Sequence, residues 1–360
     1  MTTPALDLGL PVDELTAALC DIESVSGHET ALADAIEHAL RGVPHLDVVR
    51  DGDAVVARTR LGRPQRVAIA GHLDTVPVNG NLPTRRERHE GADMLVGRGT
   101  VDMKGGIAVQ LKLAAELADP ALDVTWIFYD HEEVDSALNG LGRLARRSPD
   151  LLAADFAVLC EPTSARVEGG CNGTLTVVLR FRGARAHSAR PWKGRNAIHA
   201  AADALALLAR FEPPTIDVDG LAYRESLNAV GIRGGIARNV IPDVAEIVVN
   251  YRFAPSRSGE DALDVLRGMF PGVELEVQDL AEGARPGLDA PIAHAFLRAV
   301  GGEPAPKYGW TDVARFSALG IPAVNYGPGD PARAHTDDEA VDVVELRRCE
   351  QGLRAWLTRR

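Results

Sequence analysis

Three short apolar runs in the first half of the chain constrain its fold more than any other feature. They span residues 66–71, 124–129 and 155–160, and apolar residues recur at helical spacing between them, over 107–117 and 138–146. Continuous apolar runs of this length are typical of strands that are buried on both faces. Strands that alternate with helices predict an α/β domain, in which helices flank a mostly parallel sheet.

The pattern changes between residues 174 and 282 and predicts a separate domain. Period-two alternation replaces the continuous runs there, and the order of elements, β-α-β-β-α-β, is that of a ferredoxin-like α+β domain. At 360 residues the chain is long enough for two domains. We therefore expect a catalytic domain made of residues 1–173 and 283–360, interrupted by an inserted domain at 174–282. The elements predicted for the inserted domain are strands at 174–182, 227–232, 244–253 and 273–278, with helices at 196–210 and 259–270.

The charge balance limits the classes of partner. Acidic residues outnumber basic ones by 51 to 39, which gives a net charge of −12 and argues against nucleic acid or an anionic membrane as a partner. No secretory leader and no apolar run of about 18 residues are found, so a cytoplasmic protein is expected. The four cysteines are scattered, which indicates neither a disulfide framework nor a structural zinc site.

Acidic and imidazole side chains follow each of the three apolar runs. His72 and Asp74 come after the first run, Glu132 and Glu133 after the second, and Glu161 after the third. A single residue of these types is usually a solvated surface group. Because the carboxyl ends of parallel strands meet at one edge of a sheet, however, we expect these five side chains to converge on one crevice.

Two further residues are candidates for the same crevice. Asp102 lies in the glycine-rich segment Gly97–Gly106, Gly-Arg-Gly-Thr-Val-Asp-Met-Lys-Gly-Gly, which follows the His72 strand by one loop. Alone, this segment would predict a tight turn capped by Asp, and it lacks the spacing of a phosphate-binding loop. His335 follows another predicted core strand, at 323–326, and completes the set.

Carboxylates and imidazoles without thiolates suit catalytic Zn²⁺, Co²⁺ or Mn²⁺. Five ligands are too many for one open catalytic zinc, but they fit two metals that share a carboxylate. Asp102 is the expected shared residue because it lies in the most constrained loop. Asp74 is placed to accept the second imidazole N–H of His72, and one member of the Glu132-Glu133 pair remains to take a proton from water.

The motifs resemble those of the co-catalytic zinc amidohydrolases over nearly the whole chain. That family includes succinyl-diaminopimelate desuccinylase, acetylornithine deacetylase, aminoacylase and glutamate carboxypeptidase. The resemblance implies two Zn²⁺ per subunit, for which Co²⁺ or Mn²⁺ can substitute. The segments that carry it are His72-Leu-Asp74-Thr-Val-Pro, Gly97–Gly106, Glu132-Glu133, Glu161-Pro-Thr and His335. The implied ligands are His72, Asp102 and Glu161 for one metal, and Asp102, Glu133 and His335 for the other.

The resemblance also implies roles for residues outside the ligand set. Glu132 would be the general base, with Asp74 behind His72, and the Asp102-Met103 peptide bond would be cis. The inserted domain would form a homodimer. His187, in Ala186-His187-Ser188, would reach the active site of the partner and stabilise the oxyanion there.

The implied reaction is hydrolysis of the amide bond of a small N-acyl amino acid. Asn239, Arg252, Trp310 and Thr311 would contact the substrate. The segments Gly-Trp-Thr-Asp at 309–312 and Gly-Cys-Asn-Gly at 170–173 favour N-succinyl-diaminopimelate, an intermediate of lysine biosynthesis. The alternatives are another N-acyl amino acid such as acetylornithine, or a peptide substrate of a dipeptidase or carboxypeptidase.

Two positions depart from the pattern: the desuccinylases carry an Arg where Asn172 stands here, and Trp310 replaces a Thr of the family's Gly-Thr-Ser-Asp loop. Arg252, Arg190 or Arg185 would then read the acyl carboxylate, since a guanidinium pairs bidentately with a carboxylate. A non-catalytic metal-binding relative would be expected to lack a ligand or Glu132, and neither is missing. A nucleotide-binding protein would need a phosphate loop that the spacing does not supply.

Overall fold

In the computed structural model, which describes residues 4–359, the chain divides into two compact units. We call them the catalytic unit and the inserted unit. The catalytic unit contains the chain up to Gly169, residues 286–305 and the chain from Arg315 onward, and the inserted unit contains residues 170–285 and 306–314.

The sequence analysis assigned residues 306–314 to the catalytic domain, and the structure places them with the inserted unit instead. Hydrogen bonds hold this segment there. The N–H of Asn172 donates to the carbonyl of Lys307 at 3.2 Å, and the indole N–H of Trp310 donates to the carbonyl of Glu282 at 3.1 Å.

The first part of the catalytic unit alternates strands and helices as predicted. A 3₁₀ turn at Pro149–Leu151 follows its last helix. The helices are α1 (Val12–Cys20), α2 (Thr30–Arg41), α3 (Lys104–Glu116) and α4 (Gly140–Arg147). The strands are β1 (Asp47–Asp51), β2 (Ala54–Arg58), β3 (Arg66–His72), β4 (Arg85–His89), β5 (Ala92–Val96), β6 (Asp123–Tyr129), β7 (Phe156–Leu159) and β8 (Glu168–Gly169).

The inserted unit contains eight of the described strands and three of the described α-helices. Its strands are β9 (Gly173–Arg182), β10 (Ala186–His187), β11 (Thr215–Val218), β12 (Leu221–Arg224), β13 (Ser226–Gly234), β14 (Val240–Ile241), β15 (Val244–Phe253) and β16 (Glu274–Ala281). Its α-helices are α5 (Ala197–Ala200), α6 (Ala202–Ala209) and α7 (Gly259–Met269), and a 3₁₀ turn lies at Pro191–Lys193. The last part of the chain adds α8 (Pro291–Val300), β17 (Ala305–Pro306), α9 (Val313–Ala318), β18 (Ala323–Asn325), a 3₁₀ turn at Pro331–Arg333, β19 (Ala340–Asp342) and α10 (Val343–Thr358).

An eight-stranded sheet forms the centre of the catalytic unit, in the order β1-β2-β6-β3-β7-β18-β8-β17. Strand β3 lies between β6 and β7 and is parallel to both, and β18 is parallel to β7. The register sets His72 opposite Tyr129 and Ala70 opposite Leu159, so the three strands end at the same edge. The predicted α/β class with a mostly parallel central sheet is confirmed.

Helices cover this sheet with apolar side chains and exclude water from the strands. Phe156 of β7 contacts Phe296 and Trp356 of the last part of the chain, with ring centroids 5.8 and 5.9 Å apart. All three rings are almost completely buried. Burial of this kind stabilises the fold by about 1.5 to 3 kcal/mol for each large apolar side chain, and it holds the strand ends that carry the polar residues.

The inserted unit has the predicted ferredoxin-like arrangement. Its four-stranded sheet has the order β13-β15-β9-β16, and every neighbouring pair is antiparallel. The hairpin of β11 and β12, residues 215–224, was not predicted from the sequence. Its turn is Asp219-Gly220, with both residues at positive φ, and Asp-Gly is a strong hairpin signal. Among residues 4–359, no helix is long and apolar enough to cross a membrane.

Candidate metal centre

The ends of three adjacent parallel strands bring the predicted ligands together in the catalytic unit. His72 is the last residue of β3, Glu132 and Glu133 follow β6, and Glu161 follows β7. The glycine-rich segment and the loop after β18 add two more residues, Asp102 and His335. The ligand atoms form three groups, within each of which they lie within 4.8 Å of one another: His72, Asp102 and Glu161; Asp102, Glu133 and His335; and His72, Glu132 and Glu133.

Asp102 is the carboxylate that the first two groups share. Its Oδ1 lies 3.1 Å from Nε2 of His72, and its Oδ2 lies 3.2 Å from Nε2 of His335. Nε2 of His335 also lies 2.8 Å from Oε1 of Glu133. The two oxygens of Asp102 therefore point to two different imidazoles, which is the arrangement expected of a carboxylate that bridges two cations. The peptide bond between Asp102 and Met103 is cis, as the resemblance implied.

The second ring nitrogen of His72 fixes the orientation of the imidazole. Nδ1 lies 2.9 Å from the backbone carbonyl oxygen of Asp74. Because a carbonyl oxygen can only accept a hydrogen bond, Nδ1 carries the proton of the neutral ring. When the ring is neutral, as a metal ligand must be, the lone pair is therefore on Nε2, the nitrogen that lies on the side of Asp102.

The carboxylates of the centre attract positive charge. Hydrogen bonds to Asp102 and Glu133 raise the pKa of His335 to about 10. Burial disfavours the charged form of His72, but the hydrogen bond to Asp102 and the charge of Glu161 raise its pKa well above the usual value. Burial likewise disfavours the charged form of Asp102, and the two imidazoles outweigh it and lower the pKa of that carboxyl.

The donor set fits two divalent metal ions. Four carboxylates and two imidazoles supply its ligand atoms, and it contains no thiolate. Oxygen and nitrogen donors of this kind suit Zn²⁺, Co²⁺ or Mn²⁺. Two divalent ions would carry as much positive charge as the four carboxylates carry negative charge, so their binding would offset the repulsion between the carboxylates.

Glycines allow the segments that bear the ligands to pack closely. A Cβ atom on Gly106, in the first turn of α3, would lie 2.3 Å from the carbonyl oxygen of Cys160. A Cβ atom on Gly327, after β18, would lie 2.2 Å from the same oxygen. Cys160 precedes Glu161, so a side chain at either glycine would displace that ligand.

The structure corrects the role predicted for Asp74. Its side-chain oxygens do not accept the hydrogen bond from the His72 ring, since Nδ1 lies 3.7 Å from the nearer one. They accept backbone N–H groups instead, from Glu132 at 2.9 Å and from Glu133 at 3.0 Å. Two converging N–H donors hold a carboxylate more firmly than one imidazole at that distance. Asp74 therefore orients the glutamate pair, and only its backbone carbonyl holds His72.

The sequence analysis missed two residues that support the same loop. Ser26 and Glu29 have the Ser-x-x-Glu spacing of a capping box, which predicts a helix start, but α2 begins at Thr30 without a side-chain cap. Ser26 donates to Oδ2 of Asp74 at 2.7 Å, and buried Glu29 accepts the N–H of His131 at 3.2 Å. Glu29 thus contacts the loop that carries the glutamate pair directly, whereas Ser26 contacts Asp74, which holds that loop. A Ser-x-x-Glu segment is compatible with a helix cap and with the contacts observed here. No signal in the sequence distinguishes the two.

The inserted unit brings together two other predicted residues, His187 and Asn239. His187 lies opposite Val240 in the β10–β14 ladder, and the next residue, Ser188, donates its N–H to the carbonyl of Asn239 at 2.9 Å. His187 and Asn239 are both exposed. Nδ1 of His187 accepts the N–H of Ala189 at 3.1 Å, so the other ring nitrogen carries the proton and is a hydrogen-bond donor.

A cavity of about 270 Å³ in the inserted unit contains Arg252 and Asn172, with Arg224 and Tyr308 also in its lining. The side chain of Arg252 donates to Asn250 at 3.1 Å and forms no salt bridge among the described residues. Asn172 is fully buried, and its amide donates to the carbonyl of Arg224 at 2.9 Å.

The other two predicted substrate contacts, Trp310 and Thr311, lie in the segment that packs onto the inserted unit. The indole N–H of Trp310 donates to Glu282, as described above. Thr311 is buried, and its carbonyl accepts a long hydrogen bond, 3.7 Å, from the thiol of Cys171. Both of these hydrogen bonds lie within the inserted unit.

Sequence comparison identifies relatives that match almost the entire chain. The profile of peptidase family M20/M25/M40 matches residues 68–359, a range that contains every predicted ligand. A putative succinyl-diaminopimelate desuccinylase, DapE, from Mycobacterium tuberculosis is 54% identical over 356 residues, which cover 98% of this chain and 99% of the relative. The succinyl-diaminopimelate desuccinylase of Corynebacterium glutamicum is 45% identical over 367 residues, which cover 99% and 98% of the two chains.

Solved structures with the same fold have much lower sequence identity. A tripeptidase from Staphylococcus aureus superposes with a TM-score of 0.79 at 18% identity, over 98% of each chain. A dinuclear metal binding peptidase of family M20 from Bacillus subtilis superposes with a TM-score of 0.70 at 16% identity, over 96% of each chain. These similarities show that the fold is shared.

Proposed function

The chain belongs to peptidase family M20/M25/M40, and on that premise we propose that it hydrolyses the amide bond of a small N-acyl amino acid at a centre of two Zn²⁺ ions. The observation that carries the proposal is the pair of groups that share Asp102. Glu132 belongs to neither of these two groups and lies beside both, so it is available for proton transfer.

The ligands in this proposal are His72, Asp102 and Glu161 for one ion, and Asp102, Glu133 and His335 for the other. When bound, such a pair of ions lowers the pKa of a water molecule and polarises the amide carbonyl. Co²⁺ or Mn²⁺ would serve with the same oxygen and nitrogen donors.

The protein side chains supply proton transfer and orientation. Glu132 takes a proton from the attacking water and returns it to the amine that leaves, so one water is consumed and a carboxylic acid and an amine are released. Asp74 supports this step, because its carboxylate accepts the backbone N–H groups of Glu132 and Glu133. His187 would donate a hydrogen bond to the oxygen that develops negative charge, a contribution of the oxyanion-hole type.

We propose N-succinyl-LL-2,6-diaminopimelate as the substrate, with succinate and LL-2,6-diaminopimelate as the products. The names of the Mycobacterium tuberculosis and Corynebacterium glutamicum relatives support this choice. Such a substrate carries several carboxylates, and Arg252 is a partly buried guanidinium without a salt bridge among residues 4–359. It would replace the Arg that is absent at Asn172, while Asn239, Trp310 and Thr311 complete the set of proposed contacts.

A comparison of substrates tests the proposed function. Zinc-loaded protein is expected to release succinate from N-succinyl-diaminopimelate with a kcat/KM at least about 10²-fold above that for acetylornithine or a dipeptide, because a site built for the carboxylate of the succinyl group rejects substrates without that acyl carboxylate. Arg252→Met should raise KM for the succinyl substrate about 10- to 100-fold. Faster hydrolysis of acetylornithine or of the dipeptide by wild-type protein would instead support the alternative deacylase or dipeptidase.

We also propose that the inserted unit forms a homodimer through strand β13. This strand is at one edge of the four-stranded sheet. Three large apolar side chains on it or directly after it, Val230, Ile232 and Ile236, are 60–62% exposed. An uncovered edge strand with apolar side chains favours pairing with another chain. In such a homodimer His187 would serve the metal centre of the second copy, as the resemblance implies.

Charged substitutions at this edge test the homodimer. The double variant Val230→Lys, Ile232→Lys is expected to sediment as a monomer and to lose about as much kcat as His187→Ala, since a monomer receives no His187 from a second copy. Val277→Lys is the matched control, because Val277 is a half-exposed apolar residue of β16, at the opposite edge of the same sheet. A double variant that stays dimeric would exclude this interface, and a fully active monomer would exclude the role of His187.

A further inference from the structure

Glu339, which the sequence analysis did not single out, binds the loop that carries Asp102. It lies four residues after His335, and its side chain is 1% exposed. Oε1 accepts the backbone N–H of Val101 at 2.9 Å and that of Asp102 itself at 3.1 Å. The backbone carbonyl of Glu339 accepts a third hydrogen bond, from the N–H of Gly97 at 2.9 Å.

Arg98 connects this carboxylate to two other segments. Nη1 donates to Oε2 of Glu339 at 2.8 Å and to the carbonyl of Thr336 at 3.1 Å. Nε donates to the carbonyl of Pro77 at 3.2 Å, in the loop that follows His72. Arg98 itself lies in the segment that carries Asp102, so its guanidinium, 4% exposed, links that segment to the loop that carries His72 and to the loop that carries His335.

We propose that Arg98 and Glu339 are positioning residues that set the distances between His72, Asp102 and His335. They thereby determine how tightly the second of the two metal ions to bind is held. This inference rests on the proposed metal centre. Neither side chain belongs to the three groups of ligand atoms. Both act through backbone groups, and charge-assisted hydrogen bonds in a buried setting are strong enough to fix those groups.

The sheet already holds the main chain beside Glu339, so its side chain is not needed for that purpose. Strand β19 pairs with β5, and Ala340 lies opposite Val96. The carboxylate extends past this ladder to the N–H groups of Val101 and Asp102. A purely structural role would require only the ladder, whereas a positioning role requires the bonds to the segment that bears the shared ligand.

Zinc titration of three proteins tests the inference: the wild type, Glu339→Ala and Glu339→Gln. In competition with a chromophoric chelator, Glu339→Ala is expected to bind the second Zn²⁺ about 10- to 100-fold more weakly than wild type. Glu339→Gln should lie between the two, because its amide oxygen still accepts the N–H groups but carries no charge for Arg98. In the hydrolysis assay kcat should fall while KM stays within twofold, since the substrate touches neither residue.

Asp123 supplies a matched control in the same unit. It is a buried carboxylate that accepts the backbone N–H groups of Leu61 at 2.9 Å and Arg63 at 3.0 Å, and it lies 3.5 Å from the guanidinium of Arg66. It begins β6, at the opposite end of that strand from Glu132. Asp123→Ala should lower the thermal unfolding temperature, as Glu339→Ala does, and leave zinc affinity unchanged.

The outcomes separate this inference from the proposed function. Wild-type zinc affinity in Glu339→Ala would overturn the positioning role, and so would an equal loss of zinc affinity in Asp123→Ala. A wild-type protein that binds two zinc ions but hydrolyses no N-acyl amino acid would overturn the proposed function alone, because the titration does not depend on turnover. A wild-type protein that binds no zinc would overturn both.

Discussion

Glu132→Gln is expected to abolish nearly all amide hydrolysis while both metals stay bound. Glutamine keeps the size and the hydrogen-bonding shape of the side chain but cannot accept a proton from water at neutral pH. Positioned general bases contribute about 10²- to 10⁴-fold to a rate, and kcat should fall by a factor in that range. Because Glu132 is outside the two groups that share Asp102, zinc stoichiometry should remain at two per chain. Steady-state kinetics and elemental analysis on the same preparation measure both quantities.

Two variants in the same loop are compared with Glu132→Gln, one as a control and one as a ligand variant. Asp135→Asn changes an exposed acid three residues further on, whose side chain accepts the N–H of Ala137 at 2.9 Å, and it should keep wild-type activity. Glu133→Gln changes a proposed ligand and should lose metal together with activity. If Glu132→Gln retained full turnover with two metals bound, the proton would have to be transferred by another group, and the proposed mechanism would be wrong.

The predictable part of the centre follows from the pattern of buried strands. Strands buried on both faces must be apolar, so a polar residue directly after one of them marks its end. Parallel strands end at one edge, which is why His72, the Glu132-Glu133 pair and Glu161 could be grouped before any coordinates were known. The same reasoning gave the fold class, since alternation of strands and helices leaves few topologies.

The unpredictable part consists of contacts between side chains and backbone N–H groups. Asp74 was expected to bind the His72 ring, and it binds the N–H groups of Glu132 and Glu133 instead. Glu339 binds the N–H of Asp102 across 237 positions of sequence. A backbone N–H is present at every residue except proline, so no pattern of residue types shows which one a buried carboxylate will bind.

Residues 306–314 show that a domain boundary can also depend on hydrogen bonds that the sequence does not reveal. This segment was predicted to belong to the catalytic domain, because the last strand predicted for the inserted domain ends at residue 278. Its position depends on a few hydrogen bonds, among them the one from the indole of Trp310 to Glu282. The proposed substrate contacts Trp310 and Thr311 are therefore on the inserted unit, together with Arg252, His187 and Asn239.

Asp102→Ala is expected to lose the paired metal site and at least about 10³-fold in kcat/KM. Asp102 is the only described residue that belongs to both ligand groups, so its removal takes one ligand from each ion. The ions together contribute several kcal/mol of transition-state stabilisation, and about 4 kcal/mol corresponds to about 10³-fold in rate. Zinc titration should show at most one ion bound at wild-type affinity. Circular dichroism and the unfolding temperature establish that the variant is folded.

Asp102→Asn separates the loss of the bridge from the loss of packing. Asparagine fills the same space but offers one oxygen. That oxygen can bind the metal beside His72 or the metal beside His335, but not both. We expect it to bind one Zn²⁺ and to be nearly as inactive as Asp102→Ala. Asp93→Asn, on β5 outside the ligand groups, should bind two ions and remain active. If Asp102→Asn bound two ions at wild-type affinity, Asp102 would serve a single metal, and the glycine-rich segment would be a tight turn beside that metal rather than the support of a bridge.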